Sequence, residues 1–82
     1  MLLEVVTPDK KIFEGEASSA TFTGSDGEFQ VLSGHAPMIS ALGKGKMTIK
    51  ASGKDEVVII DGGVVEVLNN KVIVLAESVI ED

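Results

Sequence analysis

An all-β domain, a sandwich or a small barrel, is the fold class the sequence predicts, and three observations predict it. Short apolar or alternating runs recur between glycine, asparagine and aspartate punctuation. Valine, isoleucine and threonine, whose branched side chains suit a pleated surface, dominate those runs. Nine glycines interrupt every window long enough for a globular helix.

Taken in order, the predicted strands are Leu2 to Val6, Lys11 to Glu14, Ala17 to Thr23, Glu28 to Leu32, Met38 to Leu42, Lys46 to Ala51, Glu56 to Ile60, Val64 to Leu68 and Val72 to Ala76. Asn69-Asn70 is the tight turn of one hairpin, because asparagine tolerates positive φ. Ser52-Gly53-Lys54-Asp55 closes a second. Gly24-Ser25-Asp26-Gly27 and Ser33-Gly34-His35-Ala36-Pro37 are the other evident connections, and Gly62-Gly63 is expected to be a bulge or sharp bend.

From Lys46 to Lys50 the pattern alternates, with Met47 and Ile49 on one face and Lys46, Thr48 and Lys50 on the other. Val57 to Ile60, Val64 to Leu68 and Val72 to Leu75 are instead apolar on both faces. A sandwich has one central core, to which each strand gives one face. Part of the outer surface should then be apolar, which marks a protein interface unless loops cover it.

At 82 residues the chain has room for one domain, spanning residues 1–82, in a size range where burial on folding is marginal. It has no cysteine and no Cys/His cluster to hold a metal, so apolar packing or a partner must supply its stability. The net charge is −6 and the seven basic residues are scattered lysines, with no arginine. That argues against nucleic acid, which requires a basic stripe. Met1 to Val6 is apolar but lacks a basic flank and is interrupted by Glu4, unlike a secretory signal. No apolar run approaches the roughly 20 residues of a membrane helix. The expectation is a soluble chain in a reducing compartment.

Candidate chemistry is sparse. His35 is the sole histidine, and its local sequence supplies neither a nucleophile nor a second metal ligand, so a turn or interface role is expected. Asp26 and Glu28 alternate like paired carboxylates but sit at a loop tip, where a solvated or partner-facing role fits better. Gly43-Lys44-Gly45-Lys46 lacks the first glycine of a phosphate loop, a following helix and the hydroxyl residue. No catalytic residue, cofactor site, metal site or small-molecule substrate is expected. One alternative is a lipoyl or biotinyl carrier domain, also an acidic β-sandwich, with Lys54 or Lys71 as the modified hairpin lysine. Their contexts, Ser-Gly-Lys54-Asp and Asn-Asn-Lys71-Val, differ from those the carrier families use.

Val5-Val6-Thr7-Pro8, Phe13-Glu14-Gly15, Gly24-Ser25-Asp26-Gly27-Glu28-Phe29, Gly34-His35-Ala36-Pro37-Met38, Gly62-Gly63-Val64-Val65-Glu66-Val67 and Val72-Ile73-Val74-Leu75-Ala76-Glu77 occur in this order. Together, from about Leu3 to Val79, they resemble the amino-terminal domain of the F-type ATP synthase epsilon subunit. Ser33 and Lys44 stand where that family often has proline. The resemblance implies a two-layer sandwich of about ten short strands in two five-stranded sheets. It also implies a non-catalytic central-stalk role, docking the gamma subunit to the c-ring at the cytoplasmic face of a bacterial inner membrane, peripheral and not inserted. Asp26, Gly27 and Glu28 are then expected to face the c-ring, and His35, Ala36 and Pro37 to face gamma. The carboxy-terminal helical hairpin of longer relatives is expected to be absent, because Glu77 to Asp82 supplies less than two helical turns, and with it the inhibition such helices exert.

Overall fold

The computed structural model describes residues 1–80, and Glu81 and Asp82 lie outside the described residues. The expectation about Glu77 to Asp82 therefore falls partly beyond them. Eight strands follow one another: β1 (Leu2–Val6), β2 (Lys11–Glu16), β3 (Ser19–Gly24), β4 (Gly27–Leu32), β5 (Met38–Ala51), β6 (Lys54–Leu68), β7 (Lys71–Ala76) and β8 (Val79–Ile80). Their hydrogen-bonded order is β2-β1-β7-β6-β5-β3-β4, with β8 added to β6. All pairings are antiparallel except that of β1 with β7.

Two of these strands are twice the expected length, and they make the fold. Met38 to Leu42 and Lys46 to Ala51 are halves of β5; Glu56 to Ile60 and Val64 to Leu68 are halves of β6. The β5–β6 ladder runs in one register from Met38↔Val67 to Ala51↔Lys54, so Gly62-Gly63 is a bend without the bulge that was one of its expected forms. The first half of β5 and second half of β6 join β2, β1 and β7 in one layer. The remaining halves join β4, β3 and β8 in the other. Counting the halves separately gives the ten strand segments and two five-stranded layers that the resemblance implies.

Glycine is required at the bend. Gly63 has φ 149°, and a Cβ there would collide with the Leu75 carbonyl oxygen and lie 3.0 Å from the Ala76 Cα. Gly62, at φ 98°, accepts a hydrogen bond from the Glu77 N–H at 3.1 Å, and the Asp61 N–H donates to Ser78 at 3.1 Å, so the segment after β7 is held across the bend.

Inward-facing residues of both layers form one apolar cluster. Leu3, Val5, Val65, Val67, Val72 and Val74 come from the first layer, and Ala20, Phe22, Val31, Met47, Ile49 and Ile60 from the second. Phe22 and Phe29 are cross-strand partners with ring centroids 5.4 Å apart, a separation that suits aromatic packing. The predicted alternation of Met47 and Ile49 inward against Lys46, Thr48 and Lys50 holds, although Thr48 is half-covered. Among the described residues no buried side-chain polar atom lacks a partner.

Replacing Gly63 by alanine is expected to lower the unfolding free energy by at least about 2 kcal/mol, since it adds a backbone collision to an unfavourable φ. At Gly53 in the β5–β6 turn, φ is 75° but the space is open, and alanine should cost only about 1 kcal/mol. Urea unfolding of both variants measures the difference; equal losses would mean that the bend tolerates a side chain.

Candidate docking surface

Because strand side chains alternate, the outward residues of the first layer can be read from the register. Ile39, Glu66 and Ile73 lie side by side across β5, β6 and β7, and Ala41, Val64 and Leu75 make the next row. Ile39 is 71% exposed, Leu75 56%, Leu68 50% and Val64 40%. Large aliphatic side chains this open on adjacent strands form an apolar face, with the exposed Glu66 carboxylate set among them. It is the sticky surface expected from Val64 to Leu68 and Val72 to Leu75.

The second layer behaves differently. Of Val57 to Ile60, Val58 and Ile60 point inward, and Ile59 is half-covered and paired with Ile80 of β8. Only Val57, at 53%, is strongly exposed, and its neighbours in register are Thr48 and then Thr21. This outer face is mixed rather than apolar. The expectation of an exposed apolar patch at Val57 to Ile60 is thus reduced to one residue, because Val58 and Ile60 face the core and Ile80 of β8 pairs beside Ile59.

The expected contact residues lie at opposite ends of the first half of β5: Asp26 in the β3–β4 turn with Gly27 and Glu28 opening β4, and His35, Ala36 and Pro37 in the β4–β5 loop. Ser25 and Asp26 form the β3–β4 turn, and Asp26, Gly27 and Glu28 are all exposed. The Ser25 N–H reaches the Ala41 carbonyl at 3.4 Å, which places this turn at the bend end of β5. A concavity of about 330 Å³ lined by Asp26, Gly27, Glu28, Ser40 and Ala41 lies there. Gly27 takes φ 128°, a conformation suited to glycine.

His35, Ala36 and Pro37 occupy the β4–β5 loop at the other end, some 13 Å away at about 3.3 Å per strand residue. The His35 N–H donates to the Leu32 carbonyl at 3.1 Å. Its Nδ1 lies 2.6 Å from the Ala36 carbonyl oxygen; a carbonyl only accepts, so Nδ1 is the donor. Pro37 shares an apolar concavity of about 350 Å³ with Met38, Ile39, Glu66, Val67 and Leu68. This loop and the apolar face are therefore continuous. The two loops do not converge on each other, so they offer two contact regions.

On the far side, the apolar face is bounded by charge. Lys11 Nζ lies 3.1 Å from Glu14 and 3.2 Å from Glu4 across β1 and β2. The hydrogen bond to Lys11 holds the Glu14 carboxyl below its ordinary range, and the bonds to Glu14 and Glu4 raise Lys11. Among the described residues no three His, Asp or Glu side chains are grouped to hold a metal ion. Lys44 to Lys46 lie within β5, where no loop exists to cradle a phosphate.

Comparison with known proteins decides among the readings. The model of the family described as "ATP synthase, Delta/Epsilon chain, beta-sandwich domain" matches residues 1–82. The chain belongs to this family. It is 46% identical over 78 residues to the ATP synthase epsilon chain of Chlorobium limicola, covering 94% of this chain and 89% of that one. It is 42% identical over 77 residues to that of Maridesulfovibrio salexigens, covering 94% of this chain and 54% of that one. The chain thus spans about half the length of the second relative. Among solved structures it superposes with a TM-score of 0.88 and 25% identity on a chain of the Euglena gracilis mitochondrial ATP synthase, "OSCP/F1/c-ring in rotational state 1", covering 95% of this chain and 51% of that one. Membership of this family displaces the lipoyl or biotinyl carrier alternative for Lys54 and Lys71.

The ion-paired border yields a pH prediction. Glu14, with a lowered folded value, stabilises above its unfolded pKa and loses that contribution as pH falls through the lowered value. Lys11, with a raised value, stabilises below its unfolded pKa and loses its contribution as pH rises through the raised one. Both are exposed, so the effect is small and screened. Lys11→Met should lower the urea midpoint slightly at neutral pH in low salt, but not below the lowered Glu14 value or in about 1 M salt. A loss independent of both would show that the lysine acts by packing its stem.

Proposed function

We propose that this chain is a non-catalytic part of the central rotor stalk of an F-type ATP synthase, docking the gamma subunit to the c-ring. Its task is mechanical: ion flow turns the ring, and a stiff, well-seated sandwich transmits that torque to gamma while making and breaking no bond itself. The observation that carries the proposal is the apolar face of Ile39, Val64, Leu68 and Leu75, continuous with the His35-Ala36-Pro37 loop. Family membership and the Euglena neighbour, whose solved assembly contains F1 and a c-ring, support it.

In this reading the apolar face and the His35, Ala36 and Pro37 loop meet gamma, and the polar tip at Asp26, Gly27 and Glu28 meets the c-ring loops. Exposed aliphatic side chains beside polar loops fit the anatomy of a protein interface, and the Glu66 carboxylate among them calls for a polar or basic group on the partner. The stalk would stand at the cytoplasmic face of a bacterial inner membrane, held there through the c-ring. Co-purification of the tagged chain with gamma and the c-ring from native membranes is the expected result; a tagged chain recovered without them would overturn the proposal.

Two substitutions separate the contacts. Leu68→Glu and Leu75→Glu should each leave the isolated fold within about 0.5 kcal/mol, being surface changes, yet weaken gamma binding about 100-fold or more, because docking would bury an unpaired charge. Calorimetry against gamma and thermal unfolding of the free chain read the two effects. If both variants unfold the chain, the residues are internal supports rather than contacts. Glu28→Lys should loosen c-ring attachment and lower ion-driven ATP synthesis while gamma binding is kept; unchanged assembly and synthesis would remove Glu28 from that contact.

A further inference from the structure

The β4–β5 loop, residues 33–37, is mostly exposed and belongs to no strand. Beyond its contacts within the loop and with Leu32, its hydrogen bonds among the described residues go to one side chain. The Gly34 N–H donates to Asn70 Oδ1 at 2.9 Å, and the Ser33 hydroxyl donates to the same oxygen at 3.3 Å. Because a backbone N–H can only donate, the first bond also fixes which way the Asn70 amide faces. Asn70 is separated from this loop by 36 positions in sequence.

Asn70 is itself firmly placed. With Asn69 it forms the two-residue β6–β7 turn, at φ 61° and 52°, and its carbonyl accepts from the Leu2 N–H at 3.1 Å. A turn with positive φ at both central positions is served best by Asn-Gly. Glycine at position 70 would therefore suit the backbone at least as well, and what the asparagine adds is its side chain. That side chain is spent on the neighbouring loop.

We propose that Asn70 is a positioning residue whose side-chain oxygen ties the Ser33-Gly34 segment to the β6–β7 turn and so presents His35, Ala36 and Pro37, beside Ile39 and Leu68, in the pose that meets a protein partner. This rests on the docking role proposed above, with gamma as that partner. The tether sets affinity without touching the partner: an untied loop samples other poses, and ordering it on docking costs free energy that the tied loop has already spent.

Asn70→Gly isolates the effect, since it keeps the turn and deletes the tether, while Asn70→Asp keeps the acceptor oxygen. The experiment titrates wild type and both variants with the gamma subunit of the same ATP synthase and follows Gly34 amide exchange in the free chain. Asn70→Gly should bind about five- to tenfold more weakly, with Gly34 exchange faster by a similar factor and the melting temperature lowered by no more than about 8 °C, as expected for one lost hydrogen bond. Asn70→Asp should restore both within about twofold on the same scale. Wild-type affinity in Asn70→Gly, or Asn70→Asp as weak as Asn70→Gly, would overturn the positioning role alone. Gly34 exchange unchanged in Asn70→Gly would overturn the tether whatever gamma does, and wild type failing to bind gamma would overturn the docking reading instead.

Discussion

The backbone of Gly63 lies so close to the Leu75 carbonyl that no Cβ fits between them, and the rest of the structure depends on this approach. It lets β6 bend while its ladder with β5 continues without a change of register. A strand pair that bends in this way can serve two layers at once. That arrangement lets so short a chain, with no disulfide, close a core from two sheets, because the two longest strands each contribute inward residues to both.

The same constraint creates the exposed face. Once one side of the second half of β6 is committed to the core through Val65 and Val67, alternation turns Val64, Glu66 and Leu68 outward. Leu75 and Ile39 are carried out with them by register. The chain has short loops and nothing among the described residues lies over this side, whereas on the other layer β8 shields Ile59. The apolar surface is thus a consequence of how the core is closed, and its edges are marked by a structured loop at one end and by the Glu4, Lys11 and Glu14 group on another side.

Much of this was legible in the sequence, and the parts that were not have physical reasons. Alternation and turn residues located the strand segments and the Asn69-Asn70 turn, and the two-sided apolarity of Val64 to Leu68 foretold an exposed face. The joining of Met38 to Leu42 with Lys46 to Ala51 is not legible in the sequence, because Gly43 and Gly45 look like breaks. In the fold Gly45 is needed inside a strand, where a Cβ would fall 2.8 Å from the Thr23 hydroxyl oxygen. β8 is not legible either, because two residues carry no periodicity, and neither is its pairing beside Ile59. The parallel pairing of β1 with β7 and the tie from Asn70 to Gly34 join residues distant in sequence, which local patterns do not encode. The residues of the two contact loops came from the resemblance, and the fold adds that one loop adjoins the apolar face while the other stands at its far end.

The proposed docking puts the protein contact on the outward side of the first layer and not on that of the second. Backbone hydrogen exchange, compared between the free chain and the chain within the assembled ATP synthase, tests this most directly. Added protection should concentrate in the first half of β5, along β7 and in the residue 33–37 loop, while the turn at Ser52-Gly53 and the paired edge of β8 stay as they are in the free chain. Protection gained around Val57 and β8 instead, with the Ile39 and Leu75 strands unchanged, would contradict the account.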